Sequence, residues 1–309
     1  MQKLISYYLN FRTFYFTSIL IFIGLGWGLS FSITKIAVSS NDHPLTILLY
    51  QNIVCFLFLL IFYFFKFENF KLNLEAIKFY FLISISGVVI PGTLFFIAAS
   101  KVPAGILSLS VSFVPMLTYV FSLYLKIEVF SSLRIIGVFL GFVAILFLVG
   151  PPDSFADRSI LPWVLLAMVC PICYTFENIF IDVKKPKNIN SIVLSLGSTV
   201  VTILILLPII FYFELFIEIN YPPKKIELSI ITLGFITAVA YTLFIYLISR
   251  AGAVFASNVG YVVTVSGVIW GIILFNESHS VWVWLSLITM VLGLSLVSPR
   301  KRKRKPISS

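Results

Sequence analysis

The sequence predicts an all-α integral membrane protein of ten transmembrane helices, arranged as two inverted five-helix repeats. Three observations carry that prediction. Of 309 residues, 60% are hydrophobic and only 11% are charged, and the mean hydropathy is +1.08, a balance found in polytopic helical membrane proteins and not in soluble domains. Apolar runs of similar length alternate with short polar turns. A stretch of the first half also recurs in the second at a fixed offset.

The recurrence fixes the organisation. Thr93 to Ser131 falls without a gap on Thr242 to Ser280, an offset of 242 − 93 = 149 positions. Thr93 and Leu94 land on Thr242 and Leu243, Ser100 on Ser249, Ala104 on Ala253, Ser108 on Ser257, Glu128 on Glu277 and Ser131 on Ser280. Lys101 lands on Arg250, a like charge. Polar residues are scarce in this chain, and these mark the same boundaries between apolar runs in both copies.

In chain order, the first apolar run is Phe14 to Ala37. It follows Lys3 and Arg12, exceeds a signal-peptide core and has no small-residue cleavage site, so it is read as a retained span. Further spans are expected at Pro44–Phe65, Ala76–Ser100, Pro103–Leu125, Leu133–Val149, Ile160–Ile181, Ile192–Phe213, Leu228–Ser249, Gly252–Phe275 and Val281–Val297. Each is near the roughly 17–25 residues needed to cross the hydrocarbon. The expected units are a cytoplasmic N-terminus (1–13), a first repeat (14–150), an outer linker (151–159), a second repeat (160–298) and a basic tail (299–309).

Loop charges orient the bundle. With the N-terminus in the cytoplasm, the inside holds Lys3, Arg12, Lys66, Lys71, Lys78, Lys126, Arg134, Lys184, Lys185, Lys187, Arg250 and the tail from Arg300 to Lys305. The outside holds only Lys101, Arg158, Lys224 and Lys225, while Lys35 lies within the first span. This bias places both termini in the cytoplasm of a cell (inner) membrane. It also accounts for the net charge of +10 without nucleic acid, the tail serving as topology signal and contact with anionic lipid. Five spans per copy is an odd number, so the second copy enters from the opposite side. That inverted repeat is the plan of many secondary transporters, which rock about a site near the midplane.

Two stretches resemble a known family. GLGWGLSFSITKIA (Gly24 to Ala37), with its Trp27-Gly28 pair, and the run from Phe95 to Gly150 are similar to the drug/metabolite transporter superfamily, specifically its EamA-type transporters. The second copy, Tyr246 to Val297, repeats the layout of a small-residue helix, a glutamate and a closing helix. The resemblance covers Phe14 to Val297. It implies two five-helix units and carriage of small organic metabolites such as amino acids, amines, nucleotide-like compounds or drugs. The sixth span departs from the pattern: Cys173-Tyr174 stands where the first copy has an aromatic–small pair.

Helical spacing nominates a pathway. Ala253, Ser257, Gly260, Thr264, Gly267 and Gly271 form one face of small side chains, with Ala104, Ser108, Val111, Pro115, Thr118 and Ser122 at equivalent places. Such a face either packs helix on helix or, with Ser108, Asn258 and Tyr261, borders a cavity. Glu177 and Asn178 lie in the sixth span, roughly 6–8 Å from its inner end at the helical rise. Glu177 is the carboxylate clearly within a span, hence the candidate for proton coupling; the alternative is pairing with Lys184 or Lys185. Lys35 either snorkels or meets an anionic substrate, and a Lys35–Glu177 pair is not expected. Trp27, Tyr174, Tyr241 and Tyr261 carry apolar bodies with hydrogen-bonding tips, which suits a largely apolar site. Trp163, Trp282 and Trp284 read as interfacial belt.

Proline breaks add candidates for hinges. Pro91-Gly92, Pro115, Pro171 and Pro208 interrupt their spans, and Pro91, Gly92 and Pro171 are the preferred hinge positions. Cys55, Cys170 and Cys173 lie in apolar runs and imply no disulfide framework. Cys170-Pro171-Ile172-Cys173 has the form of a redox motif but lacks the surrounding βαβ pattern. His43 and His279 fall in outer turns, far apart in sequence. No catalytic constellation, metal spacing or glycine-rich nucleotide loop is present, so neither cofactor nor enzyme activity is expected. The expected function is secondary active export of small organic metabolites. A nucleotide-sugar or phosphate-ester antiporter and a non-transporting membrane protein are the alternatives, and a homodimer is left open.

Overall fold

A computed structural model describes residues 2–39, 42–66, 73–155, 157–186, 189–217 and 220–297, with side chains from residue 14 onward except at 66, 294 and 297. The basic tail, Lys71 and Lys187 lie outside the described residues. Ten apolar helices account for the described chain: α1 (Gln2–Ala37) and α2 (Pro44–Lys66), then α3 (Leu74–Ala99), α4 (Ala104–Tyr124), α5 (Ser132–Val149), α6 (Arg158–Lys184), α7 (Ser191–Tyr212), α8 (Lys225–Ala251) and α9 (Ala253–Phe275), and the shorter α10 (Val281–Val297). Without water in the hydrocarbon, each segment must satisfy its own backbone, and helices do this.

Local chemistry sets the boundaries. Asn73 caps α3 by accepting from the Ala76 amide, and Asn190 caps α7 by accepting from Val193. Gly252, at φ 93°, separates α8 from α9 in a conformation that side-chain-bearing residues rarely adopt. Asn276, in the left-handed region, ends α9. At the end of α5, Arg158 donates to the carbonyls of Val149, Gly150 and Pro151.

Four helices are broken. In α3 the residues Ile85–Val89 are π-helical just before Pro91, which has no N–H to return to the preceding turn. In α6 a turn at Met168 and Val169 precedes Pro171. The others are at Ser112 in α4 and Asn258 in α9. Pro208, read from sequence as an interruption, instead sits inside the unbroken α7.

The packing repeats about a pseudo-two-fold axis. α5 packs on α10, α2 on α7 and α4 on α9, so each pair joins equivalent helices. α1 packs on α8 and α9, as α6 does on α3 and α4. Small residues allow the close approaches: a Cβ on Gly267 would overlap the Ser108 side chain, and one on Gly293 would meet the Gly137 carbonyl at 2.7 Å. Ser108 Oγ donates to the Thr264 carbonyl and Thr264 Oγ1 to the Ser108 carbonyl, both at 3.2 Å. The α9 stripe is therefore divided. Gly267 and Gly271 pack on α4, while Ser257 and Gly260 face an internal cavity.

Gly267→Ile should overpack the α4–α9 contact and cost about 1–3 kcal/mol. Thermal melting of the purified protein checks this, and an unchanged Tm would contradict the packing described.

Candidate functional site

A cavity of about 200 Å³ lies between the two halves, lined by residues of α1, α2, α3, α4, α6, α8 and α9. Its wall is largely aromatic and aliphatic. Trp27 and Phe31 come from α1, Phe95 and Phe96 from α3, Tyr174 from α6 and Phe244 from α8. The Trp27 ring meets Phe244 edge-on at 5.0 Å, Phe31 meets Phe95 edge-on at 5.4 Å, and Tyr174 stacks on Phe95 at 6.2 Å. Such ring pairs fix the wall's shape at little rotamer cost.

The polar groups converge on one side. Tyr241 Oη donates to Glu177 Oε1 at 2.5 Å. Glu177 is 2% exposed and Asn178 1% exposed. Both side-chain amide atoms of Asn178 lack a hydrogen-bond partner in the described structure. One turn before Tyr241 on α8, Thr237 Oγ1 accepts from Gln51 Nε2 at 2.9 Å, leaving Gln51 Oε1 unpartnered. Buried amide groups without partners are rare and costly, so these atoms are available to whatever fills the space.

The carboxyl fits because of the irregular turn in α3. Gly87, inside the π-helical segment, faces it, and a Cβ there would overlap the carboxyl group. The α6 break is tied to the same region, with Cys170 Sγ donating to the Pro91 carbonyl at 3.5 Å. Gly92 also lines the cavity. Pro91, Gly92 and Pro171 thus lie at or beside the breaks flanking the site.

Of the residues nominated from sequence, Trp27, Tyr174, Glu177, Asn178 and Tyr241 are brought together on this cavity. Ser108, Asn258 and Tyr261 are not. Ser108 faces α9 and is held by the Gly105 and Thr264 carbonyls. Tyr261 packs on the cluster of Phe113, Met116 and Tyr119, on the other side of α9. Asn258 is buried in the helix break and does not line the cavity. Pairing of Glu177 with Lys184 or Lys185 is not made: Lys184 is exposed and Lys185 Nζ donates to Ser249 Oγ at 2.8 Å. Sequence reasoning missed Gln51, Gly87, Phe95 and Phe244. Gln51 carried a signal, being a polar residue deep in an apolar run; the phenylalanines, among 32 in the chain, carried none.

A second polar cluster lies at the predicted outer end. Glu277 accepts from the amides of Ala104 at 2.8 Å and Gly105 at 3.0 Å, in the first turn of α4. Lys35 Nζ approaches Glu277 Oε1 at 3.4 Å, so Lys35 is paired and does not merely snorkel. His279 Nε2 lies 3.6 Å from Glu277 Oε2 with its side chain 1% exposed. Burial lowers the imidazole's pKa, Glu277 opposing and Lys35 reinforcing the shift, so the ring is neutral at pH 7.

The model of the EamA-like transporter family matches residues 16–150 and 161–298. No protein of curated function matches the chain in sequence. A solved crystal structure is similar in fold, with a TM-score of 0.63 at 16% identity over 91% of this chain and 97% of that one. At that identity the likeness carries the fold alone.

Tyr241→Phe removes the donor to the Glu177 carboxyl and should destabilise the protein by about 1–3 kcal/mol. Thermal melting reads this, and a Tm equal to the parent's would contradict the bond.

Proposed function

Because the chain belongs to the EamA-like transporter family, a family of multi-pass membrane carriers of small molecules, we propose that it exports small organic metabolites by alternating access. The substrates would be amines, amino acids or drugs with an apolar or aromatic body. The observation that carries this reading is Glu177, the one carboxyl on the cavity among the described residues, held by Tyr241 beside the unpartnered Asn178 in a largely apolar, ring-lined wall. A carboxylate without a cation is expensive there, so an ammonium group or a proton is its natural occupant. Exchange of one for the other couples export to a proton gradient. The aromatic wall receives the apolar body, and cation–π contact with Trp27 or Tyr174 adds to the selection.

Charge bias supports a cell-membrane location with both termini cytoplasmic. Units 14–150 and 160–298 move as the two repeats, with Pro91, Gly92 and Pro171 absorbing the bending. A phosphate-ester antiporter would require cationic side chains on the cavity. Among the described residues no Lys or Arg lines it, and Lys35 is engaged by Glu277.

The test is counterflow into proteoliposomes with a panel of amines, amino acids and phosphate esters. Saturable exchange of amine-bearing compounds is expected. Exchange of phosphate esters alone would overturn the assignment, and no exchange with any compound would remove the transport reading. Glu177→Gln should retain some exchange while losing its response to an imposed pH gradient, and an undiminished response would take the coupling role from Glu177. Gly87→Ala should lower exchange at least about tenfold, the equivalent of losing a charged hydrogen bond, and parental exchange would contradict the role given to that glycine.

A further inference from the structure

The outer cluster has a second copy in the sequence. Under the offset of 149 (277 − 128), Glu277 corresponds to Glu128, Ala104 to Ala253 and Gly105 to Val254. Lys35 corresponds to Lys184 by the same offset (184 − 35). All the parts of the contact are therefore present twice, at opposite ends of the bundle: a lysine, a glutamate and the first turn of a membrane helix.

Only one copy is assembled. At the predicted outer end, Glu277 joins Lys35 to the first turn of α4. At the predicted inner end, Glu128 is turned to Arg134, at 3.1 Å. Among the described residues Glu128 makes no bond to the first turn of α9, and Lys184 is exposed. Arg134 has no counterpart, since its equivalent is Val283 (283 − 134 = 149). It is 5% exposed and lies 5.0 Å from the Tyr119 ring.

The α4–α9 contact differs between its ends in the same sense. The outer half is closed by the reciprocal Ser108–Thr264 bonds. In the inner half the Thr118, Ser122 and Tyr261 hydroxyls and Asn258 Oδ1 are buried without partners. The inner half of the contact is therefore the less completely bonded of the two in this structure.

We propose that Glu277 and Glu128 are alternating latches: Glu277 holds the outer gate shut by bridging Lys35 and the first turn of α4, and when that bridge opens Glu128 leaves Arg134 to bridge Lys184 and the first turn of α9. A carboxylate on a helix N-terminus is stabilised by the free amides and the helix dipole. Charge-assisted bonds of this kind are about twice as strong as neutral ones. Because both latches draw on one sequence unit, closing either is worth a similar amount, and the carrier stays balanced between two states. Arg134 tips the balance toward the state seen here by holding Glu128. Among the described residues Lys35, Arg134 and His279 are the cationic or titratable groups at the two glutamates, and burial holds the His279 pKa down. This inference rests on the transporter reading and does not depend on the substrate.

The test measures gating directly, with no substrate. In a background free of Cys55, Cys170 and Cys173, Ala99→Cys places a thiol on the cavity wall near the predicted outer end. Its labelling by a membrane-impermeant reagent added outside reports outward opening. Glu277→Gln and Lys35→Gln should raise the labelling rate roughly tenfold, the equilibrium effect of losing a charged hydrogen bond. Arg134→Ala, which frees Glu128, should raise it, and adding Glu128→Gln to that variant, where only the latch is left to lose, should lower it again. Lys184→Gln alters only an exposed side chain and should lower labelling in the parent, which covers the case in which a buried variant fails to fold. Shifts of the same sign in Glu277→Gln and Lys184→Gln, or none in either Lys184→Gln or Lys35→Gln, would overturn the proposal. Loss of substrate exchange with these signs intact would count against the transport assignment and not against the latches.

Discussion

In hydrocarbon every backbone donor and acceptor must be satisfied within the protein, and irregular backbone survives only where protein or a cavity receives it. That constraint makes all ten long elements helices, and it makes each break informative. The π-helical turn at Ile85–Val89 and the turn at Met168–Val169 flank the cavity, joined by the bond from Cys170 to the Pro91 carbonyl. The first of these brings a bare glycine backbone against the Glu177 carboxyl. The same proline that disrupts α3 thus creates the space that the buried acid occupies.

The two-fold repeat explains the frame, and its violations explain the site. Glu177 occupies the position of Gly28 in the first copy (177 − 28 = 149), and Gly87 that of Ile236 in the second (236 − 87 = 149). Glutamate packs on Gly87, whereas at Gly28 the bare backbone lies against Ser266 and Gly267 of α9. Only one of the two equivalent positions carries a charge. A symmetric shell therefore surrounds an asymmetric cavity. Duplicated parts can still serve as gates at the two ends, since the latch residues Lys35, Glu277, Lys184 and Glu128 kept their chemistry in both copies.

Much of this was legible in the sequence. Span positions followed from hydropathy to within a few residues, because the length of an apolar run is set by the bilayer. Glu177, Asn178 and Tyr241 stood out because polar side chains in apolar runs are expensive. Ser108, Asn258 and Tyr261 were equally conspicuous yet lie off the cavity. Periodicity gives a residue's face but not which neighbour that face meets, and Ser108 turned to α9 (Thr264) instead. Lys35 was read as a lone charge because its partner Glu277 lies 242 positions away. The repeat itself held the clue, for the lysines and glutamates match at one offset.

The central claim is that the two halves enter the membrane in opposite senses around a shared cavity. Single cysteines at Val129 and Ser278, both exposed in equivalent turns, test it in intact cells with an impermeant thiol reagent. The account predicts labelling of the residue-278 thiol from outside and of the residue-129 thiol only after permeabilisation. Labelling of both from the same side would contradict it.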